Sequence, residues 1–250
     1  MPMILTVDNG NTNICVAGFS DKDTPDFIKT YPDNRFHFSR ELYDALCRDI
    51  KEPVSGAVLC SVVPALTDMA RVALEKFTDG DVVVVDSDFN DGLVLSGYDR
   101  RKLGNDRVAD MTAAKSLYGA PCVVFDMGTA TTVSVLDAAG TFIGGMIMPG
   151  LGLSLNALSS GTALLPGIKP FAPNALLGQD TVACINNGVI YSQASSLEGI
   201  ISRVEEQLGE KVTAVVTGGA AKFILPVCRR RVIYDEYLLL KGLKILYENR

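Results

Sequence analysis

The apolar positions of this chain come in short runs whose period changes repeatedly. Residues 3–8 and 13–19 are near-continuous apolar segments with small polar residues between them. That pattern predicts two strands closed into a hairpin by Gly10 and by Asx side chains that bond their own backbone. Over 39–49 the spacing lengthens, with Leu42, Leu46 and Ile50 at helical intervals behind Ser39, a candidate N-cap. "GAVLCSVVP" at 56–64 reads as a buried strand stopped by a proline. Leu66, Met69, Ala70, Ala73 and Leu74 then mark a helix over 65–77, and "DVVVVD" at 81–86 is a further buried strand. A helix over 105–118 precedes "PCVVFDMGTATTVSVLD" at 121–137, which is again strand, polar turn, strand. A strand at 141–148, a Gly/Ser-rich helix start, a long amphipathic helix at 181–208, a strand in "KVTAVVTGGAA" at 211–221 and a last helix at 235–248 complete the chain. Strands alternating with helices predict an α/β architecture.

Two of these segments match. Asp8-Asn9-Gly10-Asn11-Thr12 and Asp126-Met127-Gly128-Thr129-Ala130 each follow one apolar run and precede another, 126 − 8 = 118 residues apart. That is a duplication at domain scale. It predicts two similar lobes, 1–117 and 118–250.

Composition narrows the function. With 250 residues and 48% hydrophobic content, the chain can fill one large core or two compact ones. The net charge is −6 and no basic stripe exists, which argues against nucleic acid as a partner. Arg229–Arg231, the densest basic cluster, reads as a solvated turn before a strand. Six scattered cysteines form no CxxC, and His37 is the sole histidine, so a zinc site is hard to build. A Ser-His-Asp hydrolase would have to use His37, and no GxSxG is present. "MPMILTVD" lacks a basic signal-peptide region, and no apolar run approaches the ~20 residues of a membrane span. The expectation is a cytoplasmic protein in a reducing compartment, with no membrane partner.

The duplicated loops carry the candidate chemistry. Glycine after a strand allows a sharp turn with exposed N–H groups, and Thr and Asn add donors, which suits phosphate oxygens. The Asp8 carboxylate would repel phosphate unless a cation lay between them. Mg²⁺, held by one or two carboxylates plus phosphates and water, fills that place. Two lobes bearing such loops make a cleft for a nucleotide, and Thr217-Gly218-Gly219-Ala220 would let a purine ring approach the backbone. In "KLGNDRVADM" (102–111), Asp106 can take a proton from a substrate hydroxyl and Arg107 can grip a carboxylate or phosphate. Asp106 read alone is better explained as a cap or charge at a helix N-terminus, where acids are favoured.

These residues together resemble the type III pantothenate kinases of the actin-like acetate and sugar kinase superfamily. The resemblance runs in order through Asp8-x-Gly10-Asn11-Thr12-Asn13, Ser61-Val62-Val63-Pro64, Tyr98 with Gly104-Asn105-Asp106-Arg107, Asp126-x-Gly128-Thr129-Ala130-Thr131, Gly144-Gly145 with Pro149-Gly150, Asp180-Thr181 and Thr217-Gly218-Gly219. It implies two ribonuclease H-like, actin-like lobes, each a mixed sheet flanked by helices, with a nucleotide cleft between them. It implies ATP-dependent phosphorylation of the primary hydroxyl of pantothenate, the first step of coenzyme A biosynthesis. Under it, Asp8, Asn9, Gly10, Asn11, Thr12, Asn13, Ile14 and Cys15 line the ATP phosphates, with Thr129, Gly218 and Gly219 also on the nucleotide. Asp8 carries Mg²⁺ with ATP, and Asp126 binds a monovalent cation, K⁺ or NH₄⁺. Asp106 is the general base. Tyr98, Gly104, Asn105 and Arg107 hold pantothenate, and Thr181 reaches it across a homodimer interface. Asn105 stands where the family usually has alanine, and Met127 where an aromatic or aliphatic residue is common. Competing readings are a non-catalytic nucleotide-binding regulator, or a kinase or phosphohydrolase for another small substrate; retention of Asp8, Asp106, Arg107 and Asp126 together argues against the regulator.

Overall fold

The computed structural model describes residues 3–10, 12–89 and 91–250; Asn11, an expected phosphate contact, lies outside the described residues. The chain divides into two compact units, Met1–Leu117 with Tyr237–Arg250, and Tyr118–Glu236.

In the first unit, strands β1 (Met3–Asn9), β2 (Asn13–Phe19), β3 (Phe27–Pro32), β4 (Val54–Ser61) and β5 (Val82–Val85) form one sheet in the order β3-β2-β1-β4-β5. β1 pairs antiparallel with β2, which the short loop between them requires, and parallel with β4, which is reached through a helical crossover. Central β1 is covered on both faces, so that Leu5 on one and Thr6 on the other are alike fully buried. Leu5 and Val7 pack with α1 (Ser39–Asp49) and α2 (Pro64–Phe77). On another side Ala17 and Phe19 of β2 pack on Leu240 of the C-terminal helix, Leu238–Glu248. Full burial of Phe19 alone is worth about 1.5–3 kcal/mol.

The second unit repeats this plan. Its strands are β6 (Cys122–Met127), β7 (Ala130–Leu136), β8 (Phe142–Pro149), β9 (Thr213–Thr217) and β10 (Ile233–Tyr234), in the order β10-β9-β6-β7-β8. In each sheet the first strand is central, with two antiparallel strands on one side and two parallel strands on the other. The repeated sequence is therefore a repeated topology. Helices of the chain after α2 are α3 (Asn105–Tyr118), α4 (Leu151–Ser160), α5 (Thr181–Leu208), α6 (Ala221–Ile224) and α7, the C-terminal helix. α5 covers the sheet with Ala194, Leu197, Ile200, Ile201 and Val204 against Val123, Phe125 and Val133. Its limits follow its sequence: the Asp180 carboxylate accepts the Ala183 N–H (2.8 Å) at one end, and Gly209 takes a left-handed φ of 73° at the other.

Four features depart from the sequence reading. β3 was not expected, because only Tyr31 of its six residues is buried and no alternation shows. β10 spans two exposed residues, too few for a pattern. The N-cap of α1 is Phe38, not Ser39; Glu41 reaches back to accept the N–H groups of His37 (2.7 Å) and Phe38 (3.2 Å). Finally, Tyr237–Arg250 groups with the first unit, although the duplication suggests a boundary that leaves it in the second. Leu240 docks on β2, and Gly242 fits against Ala109 of α3, where a Cβ would collide with the backbone.

One ion pair of this unit sets a pH response. Arg48, with Tyr31 donating from its hydroxyl (3.0 Å), holds the Asp49 carboxyl down to about 2. A depressed folded pKa stabilises above the unfolded value of about 3.9, and that contribution is lost as pH falls toward 2. Asp49→Asn is expected to lower the urea midpoint at pH 7 and to converge with the parent near pH 2. Equal midpoints at pH 7 would remove the pair from the stability account.

Candidate active site

In the first unit the site grows from the carboxyl ends of β1 and β4. Asp8 is half-buried, and its backbone lies between Cys15 of β2 and Cys60 of β4. The Gly10 N–H donates to the Asn13 carbonyl (3.0 Å). It therefore closes the turn, contrary to the exposed N–H expected from sequence. Asn9 is fully buried and braces β4: its amide donates to Ser61 Oγ (3.1 Å), which donates to the Val63 carbonyl (3.1 Å) and accepts the Val63 N–H (3.2 Å). Ile14 is also fully buried, so the side chains of Asn9 and Ile14 face protein, whereas Thr12 and Asn13 are exposed.

Two thiols report the local field. Burial, and then the Asp8 charge, push the Cys15 thiol up to about 11. Burial pushes the Cys60 thiol well above its usual value, and Asp8, Asp106 and Asp110 add to the effect while Arg100 opposes it. Those four charged groups thus all act on one buried sulfur, so the expected metal ligand Asp8 and the expected base Asp106 lie within electrostatic reach of the same thiol. Asp110 was missed by sequence reasoning; its signal was its place one turn after Asp106 on the same helix face. Arg100 was missed because it reads as part of a surface charge run.

α3 presents Asp106 in its first turn. Its Oδ1 accepts the Arg107 N–H (2.8 Å), a bond that engages one of its two oxygens. A Cβ at Gly104 would run into that carboxylate and push it aside. Asn105 Oδ1 accepts from Arg100 Nη1 (3.0 Å), so the residue that differs from the family's usual alanine is bonded in place. Arg107 is buried and Tyr98 is partly exposed.

In the second unit Asp126 lies on β6 beside Thr132 and Thr217. Gly128 N–H donates to Ala130 O (3.1 Å), and Gly150 N–H to Thr129 O (3.1 Å). Gly218 takes φ +91°, and a Cβ there would lie 2.6 Å from Met127 N and 2.7 Å from Asp126 Oδ1. The turn after β9 is thereby pressed against Asp126, and Ala220 N–H donates to Met127 O (3.1 Å). Gly219 has open space around its Cα. Thr181 is exposed at the start of α5 and belongs to neither set of contacts. A cavity of about 250 Å³ in this unit is lined by Phe125, Met127 and Leu197 among others, on the β6 face opposite Asp126, and takes in none of the expected site residues.

Gly10 and Gly128 have no positive φ, and a Cβ on either would meet its nearest neighbour at ordinary contact distances of 3.5 and 3.6 Å. Neither conformation nor packing demands glycine there, whereas a ligand approaching the backbone would. Among the described residues no cluster of three or more His, Cys, Asp or Glu could hold a metal. A divalent ion would accordingly need phosphate oxygens beside one or two carboxylates, which is how Mg²⁺ sits with a nucleotide. Among the described residues, no helix is long and apolar enough to cross a membrane.

Comparison with known proteins bears on this geometry. The family model for type III pantothenate kinase matches residues 4–203. A type III pantothenate kinase of Moorella thermoacetica is 36% identical over 98% of this chain and 99% of its own length, and one of Frankia alni is 33% identical over the same shares. Among solved structures, a Campylobacter jejuni protein described as a candidate Baf family transcriptional activator superposes with a TM-score of 0.61 at 22% identity, covering 98% of both chains. A candidate 2-dehydro-3-deoxygalactonokinase of Sinorhizobium meliloti superposes with the same TM-score at 13% identity over 98% of both chains. At such identities the structures speak for the fold alone: an α/β chain of two lobes shared with sugar kinases. The family model and the near full-length relatives go further, and by them this chain belongs to the type III pantothenate kinase family.

Proposed function

We propose that this chain transfers the terminal phosphoryl group of ATP to the primary hydroxyl of pantothenate, the entry step of coenzyme A biosynthesis. Beside family membership, the observation that carries this reading is that Asp8, which lies beside Cys60 in the β1–β4 pairing, and Asp106 of α3 both act on the Cys60 thiol. Phosphoryl transfer needs positioning and charge stabilisation more than covalent chemistry, so carboxylates and cations suffice without histidine.

The roles follow from the donor sets. Asp106 accepts the hydroxyl proton as the oxygen attacks, using the carboxylate oxygen not bonded to the Arg107 N–H. Arg107, with Tyr98, Gly104 and Asn105, holds the acceptor, the guanidinium opposite its carboxylate. The turn from Asp8 to Cys15 contacts the ATP phosphates, through backbone alone at Asn9 and Ile14, and Thr129, Gly218 and Gly219 contact the nucleotide. Asp8 is the carboxylate for Mg²⁺, which when bound would neutralise phosphate charge. Asp126, pressed against Gly218, is the carboxylate for a monovalent cation. Thr181 meets the acceptor of a second copy in a homodimer; the exposed Ile147, Leu177 and Val182 of the second unit supply apolar surface for such a contact. A purely regulatory nucleotide binder would have no use for a base at Asp106.

The test is ADP release. It should require pantothenate and vanish with an analogue lacking the primary hydroxyl; equal release with the analogue would refute the assignment of the acceptor atom. A second expectation concerns Asp126. Activity in potassium should exceed that in sodium, and Asp126→Asn should lower the potassium rate roughly tenfold, about the 1.4 kcal/mol of one lost charge contact. Equal parent rates in both salts would remove the cation site.

A further inference from the structure

We infer that Arg100 is a positioning residue for the acceptor step: its guanidinium ties Asp86 and Asp91 to Asn105 and so fixes the head of α3, where Asp106 stands. The inference rests on the kinase reading above. Arg100 Nε donates to Asp91 Oδ2 at 2.7 Å, Nη2 to the Asp86 carbonyl at 3.1 Å, and Nη1 to Asn105 Oδ1 at 3.0 Å and more weakly to the Leu103 carbonyl at 3.4 Å. One planar fork therefore joins two backbone carbonyls and two side chains. The arrangement is enclosed, with the side chains of Arg100 and Asp91 only 18% and 5% exposed. Asp91 is itself held, since its Oδ1 accepts the Leu93 N–H at 2.8 Å.

The next two residues explain why this matters. Asn105 immediately precedes Asp106, and Gly104 packs against the Asp106 carboxylate. A shift of Asn105 is therefore passed directly to the base. A general base must stand about 2.6–3.2 Å from the proton it takes, and a misplacement of about 1 Å can cost on the order of 10²-fold in rate. Lysine cannot replace the fork, because a single ammonium has no rigid array of donors to span Asp91, Asp86 and Asn105. Alanine at 105 could not accept the bond, so Arg100 and Asn105 form a unit that this chain has and an alanine-bearing relative would lack.

Steady-state kinetics on the full chain test this, using Arg100→Lys, Arg100→Gln, Asn105→Ala and the Arg100→Gln/Asn105→Ala double variant. Either Arg100 variant should lose roughly ten- to a hundredfold in kcat, with KM for ATP within about twofold of the parent. Asn105→Ala should lose kcat in the same direction but less. The double variant should be no worse than Arg100→Gln, since both act through one bond. A merely structural role would lower the melting temperature while leaving kcat per ATP-binding site, counted by calorimetric titration, unchanged. If the Arg100 variants fail to fold, Asn105→Ala still decides: kcat within twofold of the parent overturns the inference, as do additive losses in the double variant. If the parent itself fails to phosphorylate pantothenate, the kinase reading fails separately. Amide hydrogen exchange over 104–108 then decides the inference, with faster exchange in Arg100→Gln supporting it and unchanged exchange overturning it.

Discussion

Asp106→Asn is expected to lower kcat for pantothenate phosphorylation by roughly 10²–10⁴-fold, the range ascribed to a positioned general base. The amide keeps the carbonyl oxygen that accepts the Arg107 N–H, so the first turn of α3 retains its bond and Gly104 retains its neighbour. It cannot take the hydroxyl proton. Stability should stay within about 0.5 kcal/mol of the parent, as for substitutions that leave packing intact. KM for ATP should move little, because the proposed phosphate contacts belong to the loop after β1. This split separates a base from a helix-capping charge, the plainer role that sequence left open. A capping acid would show the reverse, with changed stability and near-normal kcat.

Gly218→Ala should have the largest effect on stability. The residue sits at φ +91°, outside the conformations L-residues adopt easily, which by itself costs about 1–2 kcal/mol. The added Cβ would also lie 2.6 Å from both N and C of Met127, backbone atoms of a central strand that cannot swing aside. Together these should cost on the order of 3–5 kcal/mol, a large share of the roughly 5–15 kcal/mol of a folded domain. Any surviving fold would have Asp126 displaced, since its carboxylate is the third neighbour of that Cβ. Gly219→Ala is the control: nothing lies within 4 Å of its Cβ, so stability should hold while nucleotide affinity falls. Denaturant midpoints and ATP titrations on the pair read both effects. A Gly218→Ala midpoint equal to the parent's would contradict the packing of this turn.

Much of this was legible in the chain because burial left its period in the sequence. The central strands read clearly because helices cover both faces, and α5 read clearly because its apolar residues keep one face over 181–208. The duplication was visible because the same turn chemistry sits at the ends of β1 and β6. What stayed hidden is of another kind. β3 packs through one buried side chain, and Tyr237–Arg250 joins the first unit through tertiary contacts that leave no mark in local pattern. At the site, Asp8, Asp106 and Asp126 were readable as acids at turns and a helix start. The inward orientation of Asn9 and Ile14, the use of the Gly10 N–H inside its own turn, and the Arg100 fork all depend on partners 3 to 52 residues away. Asn105 illustrates the difference: in sequence it is an awkward substitution, and in the structure it is the acceptor of a specific bond.

The most direct measurement follows the label. The purified chain is incubated with γ-labelled ATP, magnesium and potassium in an equimolar mixture of pantothenate and several sugars, and the products are separated. The account predicts label on pantothenate, as a phosphate ester of its primary hydroxyl, and none on the sugars. Label on a sugar, or released only as inorganic phosphate, would contradict it.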